Sequence, residues 1–102
     1  QNNVVRSQAV TDAIRANGEA ALQWAGLFAE ANDPDDLLRL LRAVGAAPRI
    51  PAAVIETALR YGLAVRHAPI LAAARTLRPK MIVAKPADAE VIDRLLTQAA
   101  AL

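Results

Sequence analysis

The chain has 102 residues, which is enough for one domain with a single hydrophobic core, and 55% of them are hydrophobic, which excludes a disordered chain. It contains no cysteine, so disulfide bonds, cysteine-ligated metals and thiol catalysis are excluded. The formal net charge of +2 is small and by itself favours no class of partner.

Alanine dominates the composition, with 25 copies against 13 leucines and three aromatic residues. Small side chains let helix axes approach one another closely, whereas sheets favour β-branched and aromatic residues. The composition therefore predicts one all-α domain over residues 1–102. Because the chain begins with Gln1 rather than methionine, we expect this domain to be part of a larger protein.

Regularly spaced prolines divide the chain. They are separated by 17, 18 and 17 residues and are Pro34, Pro51, Pro69 and Pro86. Each precedes a run with helical periodicity, a position at which the missing backbone N–H is tolerated. Together with a break at Asn17-Gly18, this spacing predicts about six short helices, or three hairpins of about 34 residues. The sequence leaves open whether they form an orthogonal bundle or stack as in two-helix repeats.

The first two predicted helices cover residues 4–16 and 19–31. The first has the one-sided apolar pattern of an ordinary surface helix. The second is apolar nearly all round and includes Trp24 and Phe28. A helix with so little polar surface is expected to be buried, with both aromatic side chains in the core.

The third and fourth predicted helices follow Pro34 and Pro51. Each carries an apolar stripe at helical spacing, formed by Leu37, Leu40, Leu41 and Val44 in one and by Val54, Ile55, Ala58 and Leu59 in the other. Asp33 is placed to cap the first of these helices and Gly45 to end it. Gly62 lies as far from Pro51 as Gly45 does from Pro34, so the fourth helix is expected to end there.

The last two predicted helices follow Pro69 and Pro86. Pro79 is expected to end the first of them, because the residue before a proline disfavours helical conformation. Between Pro79 and Pro86 lies the one segment without a helical pattern, the apolar run MIVA at residues 81–84. It is expected to be either an extended connector that fills the core or an exposed strand able to pair with a partner.

Catalytic chemistry is not indicated. A histidine-dependent nucleophile would need a hydroxyl group beside His67, the only histidine, and nothing in the spacing of the one serine and four threonines favours this. The acids Asp33, Asp35 and Asp36 are explained by their place at a helix N-terminus, where negative charge is favourable. We therefore expect no enzyme activity, no catalytic residue, no metal and no cofactor.

Basic residues concentrate in the middle of the chain. Residues 49–87 carry seven lysines and arginines against one acid, Glu56. Three of the seven fall in the last turns of predicted helices, where the helix dipole favours a cation without any ligand; these are Arg60, Arg75 and Arg78. The other four lie in connectors with the single histidine, and together they are the candidate partner-binding residues: Arg49, Arg66, His67, Lys80 and Lys85.

These features favour a non-enzymatic protein-interaction domain that docks another protein, one with an acidic surface, through its helices or basic connectors. A nucleic-acid-binding domain using the same connectors is one alternative, although Tyr61 is the only aromatic residue in the basic stretch. A helical accessory domain of an enzyme whose active site lies outside this chain is another. No apolar run is long enough to span a membrane and no signal sequence is visible, so we expect a cytoplasmic protein.

Overall fold

The computed structural model describes residues 18–102, of which 77% are helical. The helices are α1 (Gly18–Glu30), α2 (Pro34–Val44), α3 (Ala52–Val65), α4 (Ala68–Leu77), a 3-10 helix (Arg78–Lys80) and α5 (Pro86–Ala100). Two short strands, β1 (Ile50–Pro51) and β2 (Met81–Ile82), lie in the connectors. The predicted all-α class is confirmed, and the predicted helix over residues 4–16 lies outside the described residues.

Helix α3 lies at the centre of the fold. It packs against α1, against α5 and against α4, which follows it in the chain. Helix α2 packs against α1 and α4, whereas α4 touches α5 only marginally. Short connectors join α1 to α2 and α3 to α4. Helix α4 runs antiparallel to α3, because the strand before α3 pairs with the strand after α4.

The two strands form a small parallel pair, with Ile50 opposite Met81 and Pro51 opposite Ile82. Ile50 is fully buried and Met81 nearly so, whereas Val83 is half exposed. The connector at residues 81–84 therefore contributes Met81 to the core, as one of its two interpretations expected. Its strand pairs with β1, an element that the sequence pattern did not reveal.

Local signals set most helix ends as predicted. Helices α2 and α5 begin at Pro34 and Pro86, and α3 and α4 begin within one residue of the other two prolines. The carboxylate of Asp33 accepts a hydrogen bond from the backbone N–H of Asp36 at 3.1 Å, which caps α2. Gly45 follows the last residue of α2, as expected.

The predicted end of the fourth helix at Gly62 is wrong. Helix α3 continues through Gly62 to Val65, and Arg66 caps its C-terminus. Gly62 is buried where α3 meets α4, and a Cβ atom built on it would lie 2.8 Å from Cδ2 of Leu71 and 3.2 Å from Cγ2 of Ile70. Glycine is therefore required for the close approach of two helices and not for a turn.

The hydrophobic core collects the predicted stripes of α2 and α3, whose members are all buried. Helix α1 adds one face to it, formed by Ala21, Ala25 and Phe28. The ring of Trp24, with its centroid 5.5 Å from that of Phe28, is partly buried against the core. The expectation that this helix is buried all round is wrong, because Leu22 and Leu27 are 37% and 50% exposed.

Candidate protein-binding groove

The five candidate residues from the connectors lie in two separate places. Arg66 and His67 form the connector between α3 and α4, whereas Arg49, Lys80 and Lys85 flank the β-strand pair. Because β1 directly precedes α3, the 14 residues of that helix place the two groups about 20 Å apart. The structure therefore does not bring all five into one site.

Arg49 and Lys80 lie side by side, because they precede Ile50 and Met81, which are opposite each other in the parallel pair. The ammonium group of Lys80 donates a hydrogen bond to the carbonyl of Gly45, at the C-terminus of α2. A cation is favoured at this end of a helix. Lys80 therefore has a structural role, in which it joins α2 to the strand pair.

Lys85 and His67 both stand at helix N-termini. The backbone N–H of Lys85 donates a hydrogen bond to the carboxylate of Asp88 at 3.1 Å, at the start of α5. At the start of α4, Nδ1 of His67 accepts a hydrogen bond from the backbone N–H of Ile70 at 3.2 Å. The imidazole thus serves as a helix cap, a role more often filled by serine, threonine, aspartate or asparagine.

Arg66 has a backbone conformation that favours other residue types. Its φ of 55° and ψ of 49° are left-handed, a region that disfavours long side chains relative to glycine and asparagine. In the described chain the other non-glycine residue with positive φ is Asn32, which tolerates this region. This conformation ends α3, and the backbone N–H of the next residue, His67, donates a hydrogen bond to the carbonyl of Gly62 at 2.9 Å.

Arg66 lines an open groove of about 320 Å³ between α4 and the end of α5, which we call the α4–α5 groove. The remaining lining residues are Ala68, Leu71, Ala72, Arg75, Ala99 and Leu102. The floor is apolar and built mostly from small side chains, and two arginines flank it. No lining residue has a carboxylate side chain, and neither arginine forms an ion pair with a residue that the structure describes. The groove therefore combines an apolar floor with two arginines and has no acidic side chain in its lining.

Arg75 is the site residue that sequence reasoning missed. It lies in the last turn of α4, where the helix dipole alone seemed to explain a cation. Its side chain nevertheless shares the groove with Arg66. The available signal was the spacing of Ala68, Ala72 and Arg75, which places these three residues on one face of α4, away from its buried stripe.

The two other arginines assigned to helix ends have partners elsewhere. Arg60 is not in a last turn, because α3 extends beyond it, and it pairs with Glu56 at 2.9 Å. Arg78 begins the 3-10 helix and donates hydrogen bonds to the Asp93 carboxylate at 2.9 and 3.3 Å. These bonds lower the pKa of the Asp93 carboxyl from its ordinary value and raise the pKa of Arg78.

A second groove, of about 450 Å³, lies on the other side of α4, and we call it the α2–α4 groove. It is lined by Leu38, Leu41, Arg42, Gly45, Pro69, Ala72, Ala73, Thr76 and Leu77. Ala72 lines both grooves, so the exposed face of α4 forms a ridge between them. Arg42 is the one charged residue of this second lining, which is therefore less strongly charged than the α4–α5 groove.

Other kinds of site find no support in residues 18–102. No group of three or more histidine, cysteine or carboxylate side chains there could hold a metal ion. None of the helices in this range combines the length and apolar character needed to cross a bilayer. No family model, curated protein or solved structure matches the chain.

Replacing His67 with alanine is expected to lower the free energy of unfolding by about 1 kcal/mol, because the N–H of Ile70 loses its acceptor. Asparagine at the same position should restore most of the loss, since its side-chain oxygen is also a good cap. Urea denaturation of the two variants measures both effects. An alanine variant as stable as the wild type would contradict the capping role.

Proposed function

We propose that this chain is a non-enzymatic helical domain that binds an acidic segment of another protein in the α4–α5 groove. The observation that carries this proposal is the placement of Arg66 and Arg75 around an apolar floor that has no carboxylate side chain in its lining. Interfaces commonly combine such an apolar centre with charged residues at the rim. The floor supplies surface to bury, and the two arginines select and orient the partner.

The two parts of the groove contribute differently to binding. An exposed ion pair adds only about 0 to 1 kcal/mol, so the arginines act mainly through selectivity and association rate. Each guanidinium group can bind a carboxylate through two parallel hydrogen bonds, which adds geometric selectivity. Affinity must come mainly from covering the apolar floor of the groove.

We propose that the helices form stacked hairpins rather than an orthogonal bundle. In this arrangement the hairpins α1–α2 and α3–α4 lie side by side, with α1 and α3 in one layer and α2 and α4 in the other, which the contacts of α1 with α3 and of α2 with α4 support. Helix α5 then continues the first layer. Stacks of two-helix units present extended surfaces to protein partners, which agrees with a ridge on α4 between two grooves.

A nucleic-acid-binding role has weaker support. Lys80 is engaged with the carbonyl of Gly45, so it is not held ready for a phosphate. Neither groove lining contains an aromatic residue on which a base could stack. The protein-binding proposal requires neither feature, and it is therefore the one that we test first.

Selection of a random peptide library on the folded domain tests the proposal. We expect the selected peptides to be rich in aspartate and glutamate. Their affinity should fall at least tenfold for the double variant Arg66→Glu/Arg75→Glu, because attraction becomes repulsion at both rims of the groove. Fluorescence anisotropy of labelled peptides measures the Kd. A library that yields no acidic peptides would contradict the proposed function.

The matched control is Arg49→Glu/Lys85→Glu, which changes the net charge equally but lies outside the groove lining. We expect it to bind the selected peptides like the wild type, and an equal loss in both double variants would contradict a role for the groove. Binding of duplex and single-stranded nucleic acid is measured at two salt concentrations. Tight binding that weakens steeply with salt and is lost in Arg49→Glu/Lys85→Glu would favour the nucleic-acid alternative.

A further inference from the structure

We infer that the α4–α5 groove binds an α-helix of the partner protein, and that this helix runs antiparallel to α5 and carries two acidic residues seven or eight positions apart. The inference rests on the proposed function, from which it takes the acidic partner. It adds the conformation, direction and charge spacing of the bound segment, each of which follows from a different feature of the described structure.

The layer arrangement points to a helical occupant. Helix α1 is paired with α2 and α3 with α4, and each second helix packs in the layer opposite the first. Among the described elements, α5 has no such hairpin partner, and its contact with α4 is only marginal. The α4–α5 groove is the space beside α4 and over α5. A helix bound there would extend the α2–α4 layer by one member.

The floor of the groove has the shape that a helix needs. Ala68, Ala72 and Ala99 are small, and helix axes can approach to about 8 Å where the facing side chains are small. Larger apolar side chains of the incoming helix would pack between them. They would cover the three alanines and the outer edge of Leu71.

The two arginines specify the spacing of the charges. Arg75 lies about 10 Å along the axis of α4 from Ala68, the first residue of that helix, and Arg66 lies in the connector just before Ala68. In a helix lying beside α4, residues seven or eight positions apart fall on one face and are separated by about 11 to 12 Å. Flexible arginine side chains can span the small difference between this separation and that of the two arginines, so both carboxylates of such a helix can be paired at once.

The hairpins specify the direction. Helix α4 runs antiparallel to α3, because the strand before α3 pairs with the strand after α4. A helix paired with α5 in the same way would run parallel to α4. Its N-terminus would then lie near Arg66 and its later turns near Arg75. The first acidic residue would stand in the opening turn of the bound helix, where the helix dipole itself favours negative charge.

Synthetic peptides test the conformation and the spacing. The first probe is a helical peptide of about 18 residues, long enough to be helical in water, made of alanine, leucine and glutamine with two glutamates eight positions apart. The second has the same composition, with glutamates five positions apart and therefore about 140° apart around the helix. The third carries a proline at the centre of the first sequence. We expect the first peptide to bind at least fivefold more tightly than either of the others.

The absence of cysteine from the chain makes a direction test straightforward. Val65→Cys and Thr76→Cys each introduce a single thiol at an exposed site, one beside Arg66 and the other beside Arg75. A spin label on either thiol reports its distance from a second label at one end of the first peptide. We expect the peptide N-terminus to lie nearer to position 65 and its C-terminus nearer to position 76.

The outcomes separate this inference from the proposed function. Tight binding that is indifferent to glutamate spacing or to the central proline, or a peptide bound in the opposite direction, would overturn the inference. It would also fail if the selected library peptides were acidic and dependent on Arg66 and Arg75 while the helical probe did not bind, although the proposed function would then stand. If the library yields no acidic peptides, both are overturned together.

Discussion

Replacing Ile50 with alanine is expected to lower the free energy of unfolding by about 3 kcal/mol. Ile50 has no exposed surface, and β1 contacts α1, α3 and β2. Truncation removes buried methyl groups and leaves a cavity between elements that come from different parts of the chain. Urea or thermal denaturation with a two-state fit gives the value.

The matched control is Val83→Ala, which truncates an apolar residue of the other connector. Val83 is 49% exposed, so its change should stay within about 0.5 kcal/mol of the wild type. If Ile50→Ala were equally mild, the strand pair would be no part of the cooperative core. A similar loss in both variants would mean that Val83 is covered in solution.

Replacing Gly62 with valine is expected to destabilise the fold by about 3 kcal/mol. A Cβ atom at this position would already lie 2.8 Å from Cδ2 and 3.0 Å from Cγ of Leu71, and valine adds two more methyl groups. The clash pushes α4 away from α3. Because Leu71 also lines the α4–α5 groove, we expect the affinity for acidic peptides to fall as well.

Gly26→Val is the control for the change at Gly62. Gly26 also lies inside a helix, but a Cβ atom built there meets nothing within 4 Å. Valine has a higher helix propensity than glycine, so this variant should be as stable as the wild type or slightly more stable. Comparable destabilisation in both variants would contradict the close-contact explanation for Gly62. Thermal denaturation distinguishes these results.

Each of these changes also bears on how the groove is formed. The groove depends on the spacing between α3 and α4 at Gly62 and on the position of α5 relative to α4. The strand pair at Ile50 and Met81 ties the start of α3 to the connector that leads into α5. A loss of packing at Gly62 or at the strand pair should therefore reduce the binding of acidic peptides without any change in the charges of Arg66 and Arg75.

The candidate site could be predicted only in part. Arg66 stood out because the sequence pattern placed it in a connector, although in the structure it lies at the C-terminus of α3, where the helix dipole also favours a cation. Arg75 was left out of the candidate residues because the dipole of its own helix explained a cation at that position. A favourable local position does not reveal which other residues the side chain faces. Ala99 and Leu102 lie more than 30 residues after Ala68 and Arg66 and meet them only in the folded structure, so no local sequence pattern could have joined them.

The sequence by itself determined the all-α class, the starts of α2 to α5 to within one residue, the Asp33 cap and the buried stripes of α2 and α3. These features depend on interactions within a few residues, namely proline stereochemistry, side-chain capping and helical periodicity. Only the tertiary structure decided that α3 runs through Gly62, that residues 50–51 pair with residues 81–82, and that Arg66 and Arg75 share a groove. The reason is that each of these depends on contacts across a helix boundary or between distant segments, which local patterns do not encode.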